Sequence, residues 1–333
     1  MDQKPNSTIL FLSKGEQSPS TRYRALNYFQ QLRQSGWNPS HITFTSGGTF
    51  FERWKILRRA AKADVVVVVR RTVSGPFFWL LRHLSKQLVF DFDDAIFCRS
   101  DGSTSNVRQR RFKKIVSQCD AVWAGNEFLA SKANSLCKNT HVIPTAVQLS
   151  HKLPHQIKND EFIDCVWIGS SSTRRYLEQI IPLLDKLAEE RPQLRLKVIA
   201  DFSPNTKTIK VLTVAWSETV EDEALASAHI GIAPMVENNW TSGKCGLKVI
   251  QYMSAGLPVV TDNAGVNKSI VDHESTGFIA CNEQQWQQAI TTLADNPLLR
   301  TQMGEKGREK ALRHYSLQTS FEKMLASLST MKC

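Results

Sequence analysis

Apolar residues cluster along this chain in short runs separated by stretches of helical period. The runs are Ile9 to Leu12, Ile42 to Phe44, Val65 to Val69, Leu88 to Phe90, Ala121 to Ala124 and Val142 to Pro144. A second set follows at Cys165 to Ile168, Leu196 to Ala200, Ile209 to Val214, Ile230 to Ala233, Val259 to Thr261 and Gly277 to Ala280. Runs this short predict strands, and their alternation with helices predicts parallel sheets covered on both faces. Between the two sets lies QLSHKLPHQIKNDE (Gln148 to Glu161), polar, interrupted by Pro154 and without a period, which predicts a linker. The pattern therefore predicts an α/β chain of two doubly wound, Rossmann-like domains, residues 1–148 and 163–316, with the linker at 149–162. Ligands of open α/β sheets sit beyond the carboxyl ends of the strands, so a cleft between two such domains is the expected ligand site.

A chain of 333 residues that is 41% hydrophobic suits two cores better than one. No apolar run approaches the roughly 20 residues of a membrane-spanning helix, and the opening MDQKPNST has no apolar leader segment. A cytoplasmic location is expected. The seven cysteines include no CxxC and no His/Cys group at ligand spacing, so neither disulfides nor a metal site is expected, and most should be small core residues. The net charge of +11 favours an anionic partner such as nucleotide phosphate, lipid headgroup or nucleic acid. No recognition helix, zinc finger or aromatic RNA-binding strand accompanies the charge, so nucleic acid is not the expected partner.

Strand ends carry the candidate chemistry. The loop SKGEQSPSTRYR (Ser13 to Arg24) leads into a helix capped near Ser20 or Thr21, where Gly15, Arg22 and Arg24 can help hold an anion; the alternative is a connecting loop with solvated arginines. It contains no GxGxxG, so a dinucleotide cofactor is not expected. DFDD (Asp91 to Asp94) follows the strand QLVF, and carboxylates there, Asp93 and Asp94 above all, can orient a hydroxyl, act as a base or bind a metal. A DxD string alone does not require a metal, and none is expected. WIGSSSTRRYL (Trp167 to Leu177) ends a strand with Gly169, which permits close backbone approach, and with Ser170, Ser171 and Thr173, which offer hydroxyls and a helix start to a phosphate. A plain helix cap by Ser172 or Thr173 explains the same residues.

WTSGKCGLKVIQYMSAGLPVV (Trp240 to Val260) resembles a Walker loop only partly, because Asn238 stands where its first glycine belongs and Cys245 where its hydroxyl belongs. What remains is a glycine-flanked helix start, with Lys244 before it and Lys248 and Gln251 one turn apart on one face. A further stretch, FFERWKILRRAAK (Phe50 to Lys62), places Phe50, Trp54, Leu57 and Ala61 on one helical face and basic residues on the rest. It resembles an interfacial membrane helix, and RQRRFKK (Arg108 to Lys114) can extend the basic patch. The alternative is a helix packing its apolar face on a sheet, with solvated basic residues outside.

Over nearly its whole length the chain resembles a bacterial glycosyltransferase of family 4, with the GT-B fold. The most specific match is GKCGLKVIQYMSAGLPVVTDNAGVNKSIVDHESTGFIA. IPTAV (Ile143 to Val147) is similar to the family's interdomain junction, IGSSST to its phosphate loop, and a final helix, Leu317 to Leu328, is implied to return to the N-terminal domain. The two glutamates usual in the family's signature are replaced here by Gly243 and Gln251, and Ser170 stands where an arginine is common.

The resemblance implies a retaining glycosyltransferase that uses a nucleotide diphosphate sugar and a hydroxyl acceptor on a surface glycan or its lipid-linked precursor. Lys248, Lys244, Asp93 and Asp94 are the implied catalytic residues, with Lys244 and Lys248 supplying cationic charge to the departing diphosphate. Gly169, Ser170, Ser171, Thr173, Arg175 and Gln251 are implied in donor binding, Gln251 at the ribose, while Gly15, Arg22 and Arg24 form the loop on the acceptor side. No metal or other cofactor is implied. Two alternatives stay open: a non-catalytic nucleotide-sugar-binding protein, and a GT-B sugar-nucleotide epimerase. Peripheral attachment to an anionic membrane through Phe50 to Lys62 and Arg108 to Lys114 is a further expectation.

Overall fold

Six parallel strands form the first sheet: β1 (Ser7–Ser13), β2 (Trp37–Thr43), β3 (Val65–Val69), β4 (Gln87–Phe92), β5 (Ala121–Ala124) and β6 (Thr140–Val142), in the order β2-β1-β3-β4-β5-β6. They are seen in a computed structural model that describes residues 7–45, 48–73, 75–148 and 161–331. Every residue of β3 is buried, as a strand covered on both faces requires. β2 begins five residues earlier than its apolar run suggests, because Asn38, Pro39 and Ser40 break the pattern. Pro39 is tolerated there since β2 is an edge strand that pairs only with β1.

The second sheet is also six-stranded and parallel: β7 (Ile163–Ile168), β8 (Leu194–Ile199), β9 (Lys210–Val214), β10 (Ile230–Ala233), β11 (Val259–Asp262) and β12 (Gly277–Ala280), in the order β12-β11-β10-β7-β8-β9. The chain winds outward from β7 through β8 to β9, then returns to β10 on the other side of β7. That reversal makes the β7–β10 boundary the switch point, where a crevice opens beyond the strand ends.

The chain divides into two units, Met1–Ala146 with Ser242–Cys245 and Leu317–Cys333, and Val147–Thr241 with Gly246–Ser316. Of the expected linker at 149–162, residues 149–160 lie outside the described residues. In the first unit the helix Leu317–Thr330 inserts Phe321, Met324 and Leu328 among Phe11, Tyr28 and Trp123. The Trp123 indole N–H donates to Ser327 Oγ at 2.8 Å, which satisfies a fully buried polar atom. The second unit has its own core, in which Leu177, Leu184 and Leu187 of the helix Arg174–Glu190 pack with Trp167, Leu196 and Val198 of the sheet.

The cysteines divide by place. Cys98, Cys137 and Cys165 are buried as expected of small core residues, whereas Cys281 is exposed. Among the described residues no helix is long and apolar enough to cross a membrane. Nor do any three His, Cys, Asp or Glu side chains among them gather as metal ligands would.

Candidate active site

In the first unit the ends of β3 and β4 gather charge. Arg24 is buried and wraps Asp91 with two N–H groups, Nε at 3.0 Å and a terminal nitrogen at 2.6 Å, and its other terminal nitrogen donates to the Ile143 carbonyl at 2.7 Å. Burial opposes the guanidinium charge, but Asp91 more than restores it and raises Arg24 above its ordinary pKa. Arg24 thus ties β4 to the segment after β6. Arg22, its neighbour in the same short helix, lies over the Tyr23 ring at 4.7 Å and donates to that residue's hydroxyl at 3.1 Å. Gly15 in the preceding loop has φ of +137°, which a side chain would strain, and its carbonyl accepts the Ser18 N–H.

Asp93 and Asp94 meet Arg70, which follows β3 with φ of 57°, an uncommon value for a residue with a side chain. Arg70 Nε lies 3.3 Å from Asp93 Oδ1, and its terminal nitrogen donates to Asp94 Oδ2 at 2.5 Å. Lys244 Nζ donates to the same Asp94 oxygen at 3.1 Å. Burial pushes the Asp94 carboxyl upward against the opposing charges of Lys244 and Arg70. The second Asp94 oxygen, Oδ1, is buried without a hydrogen-bond partner.

The segment Ser242–Cys245 is seated by contacts that admit no larger residues. Asn126 Nδ2 donates to the carbonyls of Ser242 (3.1 Å) and Lys244 (2.8 Å), and the Cys245 thiol faces the Asp93 carbonyl at 3.3 Å. A Cβ on Gly243 would fall 2.5 Å from that of Ala95, and one on Gly125 would fall 2.3 Å from Cys245 Sγ. Burial, with Asp93 beside it, pushes the Cys245 thiol up to about 12, so it is a packing residue and not a nucleophile at neutral pH.

In the second unit Gly169 ends β7, where a Cβ would lie 2.3 Å from the Trp167 ring. The turn beyond it caps itself: Ser170 N–H donates to Thr173 Oγ1, and Thr173 N–H to the Ser170 carbonyl at 2.9 Å. Ser171 gives both its N–H (3.1 Å) and its hydroxyl (2.8 Å) to the carboxylate of Asp201, so an acidic side chain already sits where an anion was expected. Arg175 stacks at 4.9 Å over Tyr176 and donates to its hydroxyl.

The helix Leu247–Ser254 carries Lys248 and Gln251. Lys248 Nζ lies 4.1 Å from the centroid of the Trp167 ring, a cation held on an aromatic face beside the end of β7. Gln251, 6% exposed, donates its amide N–H to Glu221 Oε1 at 2.5 Å. The other Glu221 oxygen accepts the Trp216 indole N–H at 2.6 Å. Tyr252, on the buried side of this helix, takes the Ile168 N–H and gives its own hydrogen to the Ile232 carbonyl, which joins β7 to β10 at the switch point. Its ring fits because Gly231 has no side chain: a Cβ there would lie 2.5 Å from the ring.

Residues 157–296 match the family model described as Glycosyl transferases group 1. Solved structures of like architecture span nearly the entire chain. Sucrose-phosphate synthase from Thermosynechococcus elongatus is 15% identical over 97% of this chain and 98% of its own, with a TM-score of 0.73. The Anabaena protein HepE, solved with UDP and glucose, is 15% identical over 98% of this chain and 100% of its own, at 0.69. The fold is GT-B. A glycosyltransferase from Rickettsia africae, 14% identical over 96% of this chain and 97% of its own with a TM-score of 0.72, shares this GT-B architecture. A curated relative, a Dictyostelium discoideum α-1,2-mannosyltransferase that uses GDP-mannose, is 30% identical over 93 residues, 28% of this chain. The chain spans 17% of that relative's length.

Within the GT-B chain the residues read from sequence fall into two groups. Asp93, Asp94 and Lys244 come together in the first unit, while Gly169, Ser170, Ser171, Thr173, Arg175, Lys248 and Gln251 belong to the second. Sequence reasoning missed Arg70, which bridges the two aspartates, and Glu221, which holds Gln251. Arg70 carried a readable signal, since a charged residue directly after five valines marks a strand end, but its partners Asp93 and Asp94 lie on the far side of the next helix and strand.

Proposed function

We propose that the protein is a retaining glycosyltransferase that moves a sugar from a nucleotide diphosphate sugar to a hydroxyl of a bacterial surface glycan or its lipid-linked precursor. In this reading the second unit binds the donor and the first unit binds the acceptor. The observation that carries it is the grouping beside the β7–β10 switch point: the hydroxyl-bearing turn after Gly169, Lys248 on the Trp167 ring and Gln251 one helical turn further. The match of residues 157–296 to a glycosyltransferase family supports it.

Negative charge grows on the departing nucleoside diphosphate as the sugar bond breaks, and a fixed cation counts most at that moment. Lys248 is the cation placed for this, with Arg175 nearby in sequence to the same turn. No metal is required by the reading. Asp93 and Asp94, held by Arg70 and Lys244, orient a hydroxyl in the first unit.

The test is release of nucleoside diphosphate from a panel of nucleotide sugars, with and without lipid-linked and free glycan acceptors. Acceptor-dependent release with an unchanged anomeric configuration by NMR is expected. Binding without release, or interconversion of the donor without acceptor, would replace this reading by a binding protein or an epimerase. Lys248→Ala should lose about 2 to 4 kcal/mol of transition-state stabilisation, a fall of roughly 30-fold to 1000-fold in kcat/KM. Normal turnover by that variant would remove Lys248 from the mechanism. The same reading places the protein on the inner face of the membrane, through the aromatic and basic helix Phe50–Ala60.

A further inference from the structure

We infer that Glu221 is the residue that recognises the ribose diol of the donor nucleotide, with Gln251 and Trp216 as the groups that hold its carboxylate in position. The inference rests on the proposed donor role of the second unit and names a side chain that role had not included.

Glu221 lies on the helix Glu218–Ala226, which connects β9 to β10, and Gln251 on the helix that connects β10 to β11. A hydrogen bond from the Gln251 amide to Glu221 Oε1 joins the two helices. Trp216, just ahead of the first helix, donates its indole N–H to the other oxygen. Both donors are neutral. Among the described residues no lysine, arginine or histidine pairs with Glu221, so its negative charge is held in place without being cancelled. A carboxylate accepts about two hydrogen bonds on each oxygen, which leaves one acceptor direction on each for new donors. Two acceptors side by side are the complement of two vicinal hydroxyls. Amide oxygens and phosphates, which carry no hydrogen to donate, are repelled or ignored by the same group.

Position supports the same reading. Gln251 lies three residues beyond Lys248, a rise of roughly 4.5 Å along the helix, and Lys248 is the cation beside the hydroxyl-bearing turn. With the phosphate at Lys248, the ribose is assigned to the next turn of the same helix, where Gln251 holds Glu221. Trp216, 44% exposed, adds an aromatic surface at the end of that line, where a nucleobase follows its sugar.

Calorimetric titration with UDP, GDP, ADP and CDP, and with their 2′-deoxy counterparts, tests the assignment. The wild-type protein should bind its preferred ribonucleotide about tenfold to a hundredfold more tightly than the 2′-deoxy form, as befits a hydrogen bond to a charged acceptor. Glu221→Gln and Glu221→Ala should bind both forms with affinities within about twofold of each other. Trp216→Phe, which loses the donor but keeps the ring, should reduce the preference without abolishing it. A preference kept in full by both Glu221 variants overturns the assignment while leaving the proposed function intact. A wild-type protein that favours the 2′-deoxy form also overturns it. Failure of the wild-type protein to bind any of the eight compounds overturns the donor role and this assignment together.

Discussion

The Tyr252 hydroxyl receives the Ile168 N–H at 2.9 Å and donates to the Ile232 carbonyl at 3.2 Å, so a single side chain spans the two strands that part at the switch point. Burial pushes its phenol well above the ordinary value, which keeps the donor proton in place at neutral pH. Tyr252→Phe removes both bonds and leaves the ring's packing intact. It should cost about 1 to 3 kcal/mol, read as a lowered urea midpoint with an unchanged slope. A variant as stable as the wild type would show that these bonds are replaced by others. Neither this clamp nor the Glu221 pairing could be read from the chain, because each joins residues separated by 20 positions or more. The composition of QYM gives a tyrosine on a helix, and only the tertiary fold supplies its partners.

Helices and loops showed more of themselves. The helix Phe50–Ala60 was legible from its apolar spacing, and the structure adds a reciprocal cap at its start, formed by Thr49 and Glu52. Of the face drawn from sequence only Leu57 is buried, whereas Phe50 (76%), Trp54 (54%) and Ala61 are exposed; the buried side is formed by Ile56, Leu57 and Ala60, and Phe51 (80%) is exposed as well. Spacing alone cannot tell which apolar residues are covered, and here the aromatic ones at the first turns face solvent, with Phe50 edge-on to Phe51. Trp79 and Leu80 of the helix Pro76–Leu84, which packs beside it, are exposed as well. Aromatic rings beside Lys55, Arg58 and Arg59 suit an anionic lipid surface. The protein should therefore sediment with vesicles containing phosphatidylglycerol, less so in high salt, and Phe51→Ser with Trp54→Ser should weaken this several-fold. Equal sedimentation with neutral vesicles would sink the idea.

Asp185, in the helix Arg174–Glu190, secures the approach to β9 by accepting the backbone N–H groups of Lys207, Thr208 and Ile209. Burial opposes its charge, but the N–H groups of Thr208, then Ile209 and Lys207, prevail and hold the carboxyl below its ordinary value. A lowered carboxyl stabilises the fold above the unfolded pKa of roughly 3.9 and loses that contribution as pH falls through the folded value. Asp185→Asn should thus cost about 1 to 2 kcal/mol at pH 7, and the gap should narrow as pH falls below the unfolded value and through the lower folded one. A gap independent of pH would mean that shape, and not charge, is what Asp185 supplies.

At the scale of the whole molecule, both sheets were legible because buried parallel strands must be apolar along their length, and each of the twelve runs became a strand. The polar starts of the edge strands β2 and β6 escaped, since Asn38 to Ser40 and Thr140 with His141 carry no apolar run. Apolar patterning alone cannot display which distant segments complete a unit; the return of the final helix was implied by the resemblance, and here the matter has a temporal side. The first unit contains residues up to Ala146 and again from Leu317, and Phe321, Met324 and Leu328 fill its core. On a ribosome the N-terminal half emerges early yet waits for the last helix, while the second unit's sequence is available sooner. The chain is predicted to acquire its C-terminal unit first, against the usual order of synthesis. Ending the chain at Ser316 removes three buried side chains worth about 5 kcal/mol or more. Limited proteolysis of that truncated protein should degrade residues before Ala146 and spare a fragment from the second unit. A nascent chain stalled before Leu317 should be cut in the same place, so for most of its time on the ribosome this protein would depend on whatever shelters an unfinished first half.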